Sequence, residues 1–159
     1  MFPHRLPTTL FAVGLLLSTL ACSKKAADPT STGSYKLDGV LVNCQAQART
    51  YTKQIASNVP LEDYVEVDLT TTPQPASGAQ VLRLVFHKQV QNSTYIFDGI
   101  NFYTNGNRTS DYYLSINGGI TPTSGSFSGT FESEIIQAGG SYSGPFFHVT
   151  EGVFTNVRL

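Results

Sequence analysis

The chain has 159 residues, ten Lys/Arg against eleven Asp/Glu, 40% hydrophobic residues and two cysteines. Apart from the pair Lys24-Lys25 the cations are scattered singly, so the basic stripe that phosphate recognition needs is missing and nucleic acid is excluded as an expected partner. Two cysteines are too few for a disulfide-stapled scaffold, so the fold has to bury a core of its own.

The first 21 residues have the order of a secretory signal. Arg5 precedes the apolar run Leu10-Phe11-Ala12-Val13-Gly14-Leu15-Leu16-Leu17, and small residues lead to Ala21-Cys22. The run is shorter than the ~20 apolar residues a spanning helix requires. Thr19-Leu20-Ala21-Cys22 resembles the lipobox of bacterial lipoproteins, with Thr19 standing where that pattern prefers Leu. The resemblance implies that Cys22 is lipidated and becomes the first mature residue, with the membrane as partner through that lipid. Two or more acyl chains hold stably where one holds marginally, each buried methylene contributing about 0.8 kcal/mol. The expected location is the cell envelope, at the outer membrane. Residues 22–34, small and polar with Pro and Gly, read as the lipidated cysteine and a flexible tether.

Residues 35–159 are expected to form one all-β domain, an antiparallel sandwich or barrel of about eight strands with at most one short helix. Period-two alternation recurs along the chain. It appears in Val40, Val42, Cys44, Ala46 and Ala48, then in Val65, Val67 and Leu69, and again in Leu82, Leu84 and Phe86. It continues in Tyr112, Leu114 and Ile116, in Phe127, Gly129, Phe131, Ser133 and Ile135, and in Val153, Thr155 and Val157. Asp38-Gly39, Asp98-Gly99, Asn105-Gly106, Asn117-Gly118 and Glu151-Gly152 carry the chemistry of tight hairpins. Gln45 to Ile55 is the one helical candidate, and it fits a strand equally well. An echo links Gly125-Ser126-Phe127-Ser128-Gly129-Thr130-Phe131 to Gly140-Ser141-Tyr142-Ser143-Gly144-Pro145-Phe146. Two copies are too few for a repeat architecture. Both are expected to begin strands, the second weakened by Pro145.

The opening Tyr35-Lys36-Leu37-Asp38-Gly39, the Gly129-centred motif and the closing Gly152-Val153-Phe154-Thr155-Asn156-Val157 resemble small β-rich lipoproteins of the Bacteroidota. That resemblance implies a β-sandwich or barrel hung from a membrane and carries no chemistry.

Catalytic residues, metal ligands and cofactors are not expected. His87 and His148 fall in different strand patterns, outside any metal-ligand spacing. Gly-x-Ser-x-Gly does not occur as a nucleophile elbow. Glu132 and Glu134 share a strand face, about 7 Å apart by strand rise, where carboxylates keep a sheet soluble. Cys44 falls on an apolar face and reads as a small buried hydrophobe.

Aromatic residues are the better lead. Tyr95, Phe97, Phe102, Tyr103, Tyr112 and Tyr113 lie close together on two predicted strands joined at Asn105-Gly106. They are either core pairs or, with Tyr103 and Tyr113 outward, a stacking platform. Tyr95, Phe97, Tyr103 and Tyr113 are therefore the candidate ligand-binding residues. The leading expectation is a non-catalytic envelope lipoprotein that binds a partner protein or a glycan through loops at one end of the domain. One alternative is a lipocalin-like carrier of a small apolar ligand, with Tyr95, Phe97, Tyr112 and Leu114 around an internal cavity. The third reading is a glycan hydrolase using Glu132 or Glu134.

Overall fold

The computed structural model describes residues 31–90 and 93–159. Cys22, the signal and the first part of the expected tether lie outside the described residues. The described chain is all β, with no helix. Its strands are β1 (Thr32–Leu37), β2 (Val40–Lys53), β3 (Glu62–Thr71), β4 (Gln80–Lys88), β5 (Tyr95–Thr104), β6 (Asn107–Arg108), β7 (Ser110–Thr123), β8 (Ser126–Ser141) and β9 (Gly144–Arg158). They form one antiparallel sheet in the order β6-β5-β4-β3-β2-β1-β9-β8-β7. The domain begins slightly earlier than expected, because Thr32, Gly33 and Ser34 of the expected tether pair with β2 and β9.

The segment from Gln45 onward is strand, although Ala, Gln, Arg and Lys favour a helix. Cys44 and Ala46 are buried while Gln45, Gln47 and Arg49 are exposed, and β2 pairs with β3 along its last ten residues. Tertiary pairing on a half-buried surface outweighs helix propensities of a few tenths of a kcal/mol per residue.

A single core occupies the concave side of the sheet. Val65, Val67 and Leu69 of β3 and Leu82, Leu84 and Phe86 of β4 meet Phe127, Phe131 and Ile135 of β8 and Phe154 and Val157 of β9. Tyr35, at its centre, touches Phe102 and Phe131 at ring separations of 6.3 and 6.1 Å. The two ends of the rolled sheet meet at β5 and β7 without a hydrogen-bonded ladder between these strands, so it does not close into a barrel. They are joined instead by side chains and a short backbone link. Ser110 Oγ accepts from the Phe102 amide at 2.9 Å, and the Thr109 amide donates to the Phe102 carbonyl at 2.8 Å.

Two cross-strand rows produce the roll through β1, β9, β8 and β7. In one, Phe154 stands between Gly33 and Gly129; in the other, Phe131 stands between Gly118 and Gly152. A Cβ on Gly129 would lie 2.5 Å from Phe154 Cζ, and one on Gly152 would lie 2.5 Å from both Phe131 Cε2 and its carbonyl oxygen. Each Phe ring therefore fills the space its glycine neighbours leave, and the strands bend around it.

Asp38-Gly39 and Asn105-Gly106 form two-residue hairpins with positive φ at both positions. The other three dipeptides lie inside strands. Asp98-Gly99 sits opposite a register shift in β4–β5, Glu151-Gly152 opposite shifts in β1–β9 and β8–β9, and Asn117-Gly118 in regular β7–β8 pairing. At these shifts Glu151 takes positive φ, at 51°, whereas Asp98 and Gly99 do not. In the echo, the second copy is the β8–β9 hairpin itself, with Tyr142 and Ser143 at its tip.

Candidate functional site

The convex face of β2–β5 carries side chains in rows set by the register. One row runs Tyr51, Tyr64, His87 and Ile96 across the four strands. Tyr51 stacks on Tyr64 at 5.2 Å, and Tyr64 leans on His87 at 5.9 Å. These contacts bury Tyr64 although it stands on the side away from the main core. His87 Nδ1 lies 3.4 Å from Asp98 Oδ1, outside hydrogen-bonding geometry.

Below this row is a charge ladder. Arg83 grips Asp68 with Nε at 2.7 Å and Nη2 at 2.8 Å, and its Nε lies 3.6 Å from Glu66. Arg49 Nε donates to the same Glu66 at 2.6 Å. The hydrogen bonds to Asp68 push the Arg83 guanidinium above its ordinary value, against the opposing effect of burial. Its far side lies over the Tyr103 ring at 5.0 Å. Tyr103 is thus occupied as a cation–π partner.

A groove of about 550 Å³ opens above the tyrosine row. Its floor is Tyr51, Tyr64, Val85, Asp98, Gly99 and Asn101, with Lys53 at the β2 end. Its wall is Arg108, Asp111, Tyr112 and Tyr113 from β6–β7, with Tyr142 from the β8–β9 tip. The wall is braced from three sides. Tyr113 Oη donates to the Asp98 carbonyl at 3.0 Å, Asp111 Oδ2 accepts from the Gly139 amide at 2.9 Å, and Arg108 donates to the Asp111 carbonyl. Tyr112 and Tyr142 are 68% and 77% exposed, so two ring faces stand open to solvent in an otherwise braced site.

The groove's chemistry is amphipathic and electrically balanced. Lys53 and Arg108 are matched by Asp98 and Asp111, which leaves no excess charge for an ionic ligand. Burial, followed by the Glu66 carboxylate, pushes the Tyr51 phenol up to about 12. Burial also raises Tyr64, with Asp98 and Glu62 adding to the effect. Both phenols therefore stay neutral at physiological pH.

Of the four ligand-binding residues expected from the sequence, Tyr113 alone lines this groove. Phe97 is in the core, stacked on Phe86 at 4.9 Å. Tyr95 packs edge-on against Phe127 at 6.0 Å and borders a neighbouring depression with Thr50 and Asp63. Tyr103 covers Arg83. Tyr112 and Leu114, expected on an inward face, are exposed. Register shifts on either side of Tyr113 change the parity of β7 there. Tyr51, Tyr64 and Tyr142 were missed. The signal for Tyr64 was its place on the wet face with Glu66 and Asp68; for Tyr142, a large ring in a Ser/Gly turn.

Glu132 and Glu134 lie outside the groove. Glu134 Oε1 is 3.4 Å from His148 Nδ1, with both side chains about half exposed, and Glu132 borders a separate depression of about 480 Å³ with Asn117 and Glu151. Among the described residues no three His, Cys, Asp or Glu side chains converge as metal ligands. Cys44 is buried, and desolvation pushes its thiol up to about 12.

No family model, curated protein or solved structure matches the chain.

Proposed function

We propose that the protein is a non-catalytic lipoprotein of the cell envelope, held to the membrane through lipid on Cys22, whose tyrosine-lined groove binds a glycan. The observation that carries the binding reading is the convergence of five tyrosines, from β2, β3, β7 and the β8–β9 tip, on one braced groove. Its volume falls within the range of about 300–1,000 Å³ of ligand sites. A sugar presents apolar C–H faces and hydroxyl edges, which match ring faces edged by phenols and by Asn101. Charge balance favours a neutral saccharide over an acidic one. The filled interior, where Tyr35, Phe86, Phe131 and Phe154 pack together, supports an outer-surface site over an internal carrier cavity.

The test is a glycan array probed with the domain, followed by titration of the best neutral oligosaccharide. Binding is expected, and Tyr112→Ala and Tyr142→Ala are each expected to weaken it several-fold without altering the fold. An array without a hit, combined with retention of a partner protein that Tyr112→Ala releases, would transfer the groove to a protein ligand. The anchor is tested separately by the mass of the mature N-terminus, expected to show an acylated Cys22.

A further inference from the structure

The β2–β3 hairpin ends in a loop, residues 54–61 (Gln-Ile-Ala-Ser-Asn-Val-Pro-Leu), that contains no charged side chain. Its shape is fixed internally. Gln54 Nε2 donates to the carbonyls of Ser57 at 3.3 Å and Val59 at 3.1 Å, and the Val59 backbone amide donates to the Ala56 carbonyl at 3.0 Å. The loop so held clusters three aliphatic side chains, Ile55, Val59 and Leu61, at its surface within seven residues, and clustered apolar surface is a mark of protein or membrane contact. Of the three, Ile55 is 58% and Leu61 63% exposed.

The position of this loop suggests its counterpart. The described chain enters at Ser31, whose carbonyl accepts from the Ala46 amide, and Thr32 pairs with Gln45. From Gln45, β2 runs on to Lys53 in the direction from which the chain arrives. At about 3.3 Å per residue, those eight steps project the hairpin about 26 Å past the start of β1. Eight residues, Ser23 to Thr30, separate Cys22 from Ser31. The nine steps from Cys22 to Ser31 span at most about 32 Å when fully extended. The segment between Cys22 and Ser31 is therefore long enough for the hairpin tip to reach a membrane that holds Cys22.

We infer that the β2–β3 loop rests in the interfacial layer of the bilayer, inserting Ile55, Val59 and Leu61, so that the domain stands on its membrane at two points. This rests on the reading of Cys22 as the anchor. The anchor supplies the high local concentration that three partly exposed aliphatic side chains need to dock.

The chain contains no Trp. Leu61→Trp therefore introduces the only tryptophan, excited selectively over the eight tyrosines. Leu41→Trp, at the β1–β2 hairpin on the opposite end and 61% exposed, is the matched reference. Each full-length chain is recovered from the envelope, its N-terminal mass measured, and reconstituted into phosphatidylethanolamine/phosphatidylglycerol vesicles with and without lipid brominated on its acyl chains. The expected result is a lipidated chain in which Leu61→Trp shifts to the blue and loses most of its emission to the brominated lipid, while Leu41→Trp is unaffected. A lipidated chain with Leu61→Trp unquenched, or with both positions quenched alike, overturns the docking and leaves the anchor intact. An unlipidated chain quenched only at Leu61→Trp overturns the anchor and keeps the docking; an unlipidated, unquenched chain overturns both.

Discussion

The two halves of the rolled sheet solve the same packing problem in different ways. In β2–β5 the pairing is regular apart from one shift, the core residues of β3 and β4 alternate along each strand, and the convex face is laced by Arg49, Glu66, Asp68 and Arg83. In β7–β9 the ladders shift repeatedly, and bending is achieved by pairing Phe131 and Phe154 with glycines. The regular half provides the floor of the groove. The bulged half provides arms that curl over it, bringing Tyr112, Tyr113 and Tyr142 above Tyr51 and Tyr64. Regularity makes a platform, and irregularity makes the wall that turns the platform into a groove.

Substitutions in the bulged half are expected to have the largest effects. Phe154→Ala empties a fully buried site between Gly33 and Gly129 and should cost about 3–5 kcal/mol, read by urea denaturation. Gly152→Ala places a methyl against the Phe131 ring and backbone and should cost about 1–3 kcal/mol. Gly99→Ala is its counterpart in the regular half. There the nearest atom to the new methyl is Val85 Cβ at 3.9 Å, so the change should stay within about 0.5 kcal/mol. Equal costs for the two glycine changes would break the comparison.

Alkaline titration probes the floor and the core together. Cys44 and Tyr51 are each raised to about 12 from ordinary values of 9.0 and 10.0. A group whose pKa is raised on folding stabilises fully below its unfolded value and loses that contribution as pH climbs towards its folded value. Stability should therefore be flat through neutral pH, begin to fall above pH 9 and keep falling towards pH 12. Cys44→Ala should flatten the first part of that fall, and Tyr51→Phe the part above pH 10, as measured by thermal denaturation across the range.

Smaller effects are expected on the charge ladder. Arg83→Met removes a two-pronged contact to a half-buried Asp68 and should cost about 1 kcal/mol. Arg49→Ala, at an exposed guanidinium, should cost no more than about 0.5 kcal/mol, with both values shrinking in high salt.

Strands β3 and β4 of the regular half were legible in the sequence because their inward residues keep strict parity. Val65, Val67 and Leu69 and then Leu82, Leu84 and Phe86 all point where alternation places them, as do Phe127 and Phe131 in β8. Parity fails where a bulge intervenes. Tyr112 and Leu114 turn outward beside the shifts at Tyr113. In β9, Phe154 rather than Val153 is buried, while Val157 returns to the core past Asn156, whose φ is 53°. The groove was less legible than either half. It depends on Tyr51 and Tyr142, which lie far apart in the chain and come together only because the sheet rolls and the β8–β9 arm bends. Local alternation carries no information about that meeting.

The groove is tested most directly by titrating the best neutral oligosaccharide from the array into the unaltered domain, the Tyr112→Ala/Tyr142→Ala double variant and Tyr103→Ala. The expected result is at least about a tenfold loss of affinity, 1.4 kcal/mol, in the double variant, and an unchanged value for Tyr103→Ala, whose ring covers Arg83 outside the groove. Undiminished binding by the double variant, or binding lost with Tyr103→Ala instead, would contradict the assignment of the ligand site to this groove.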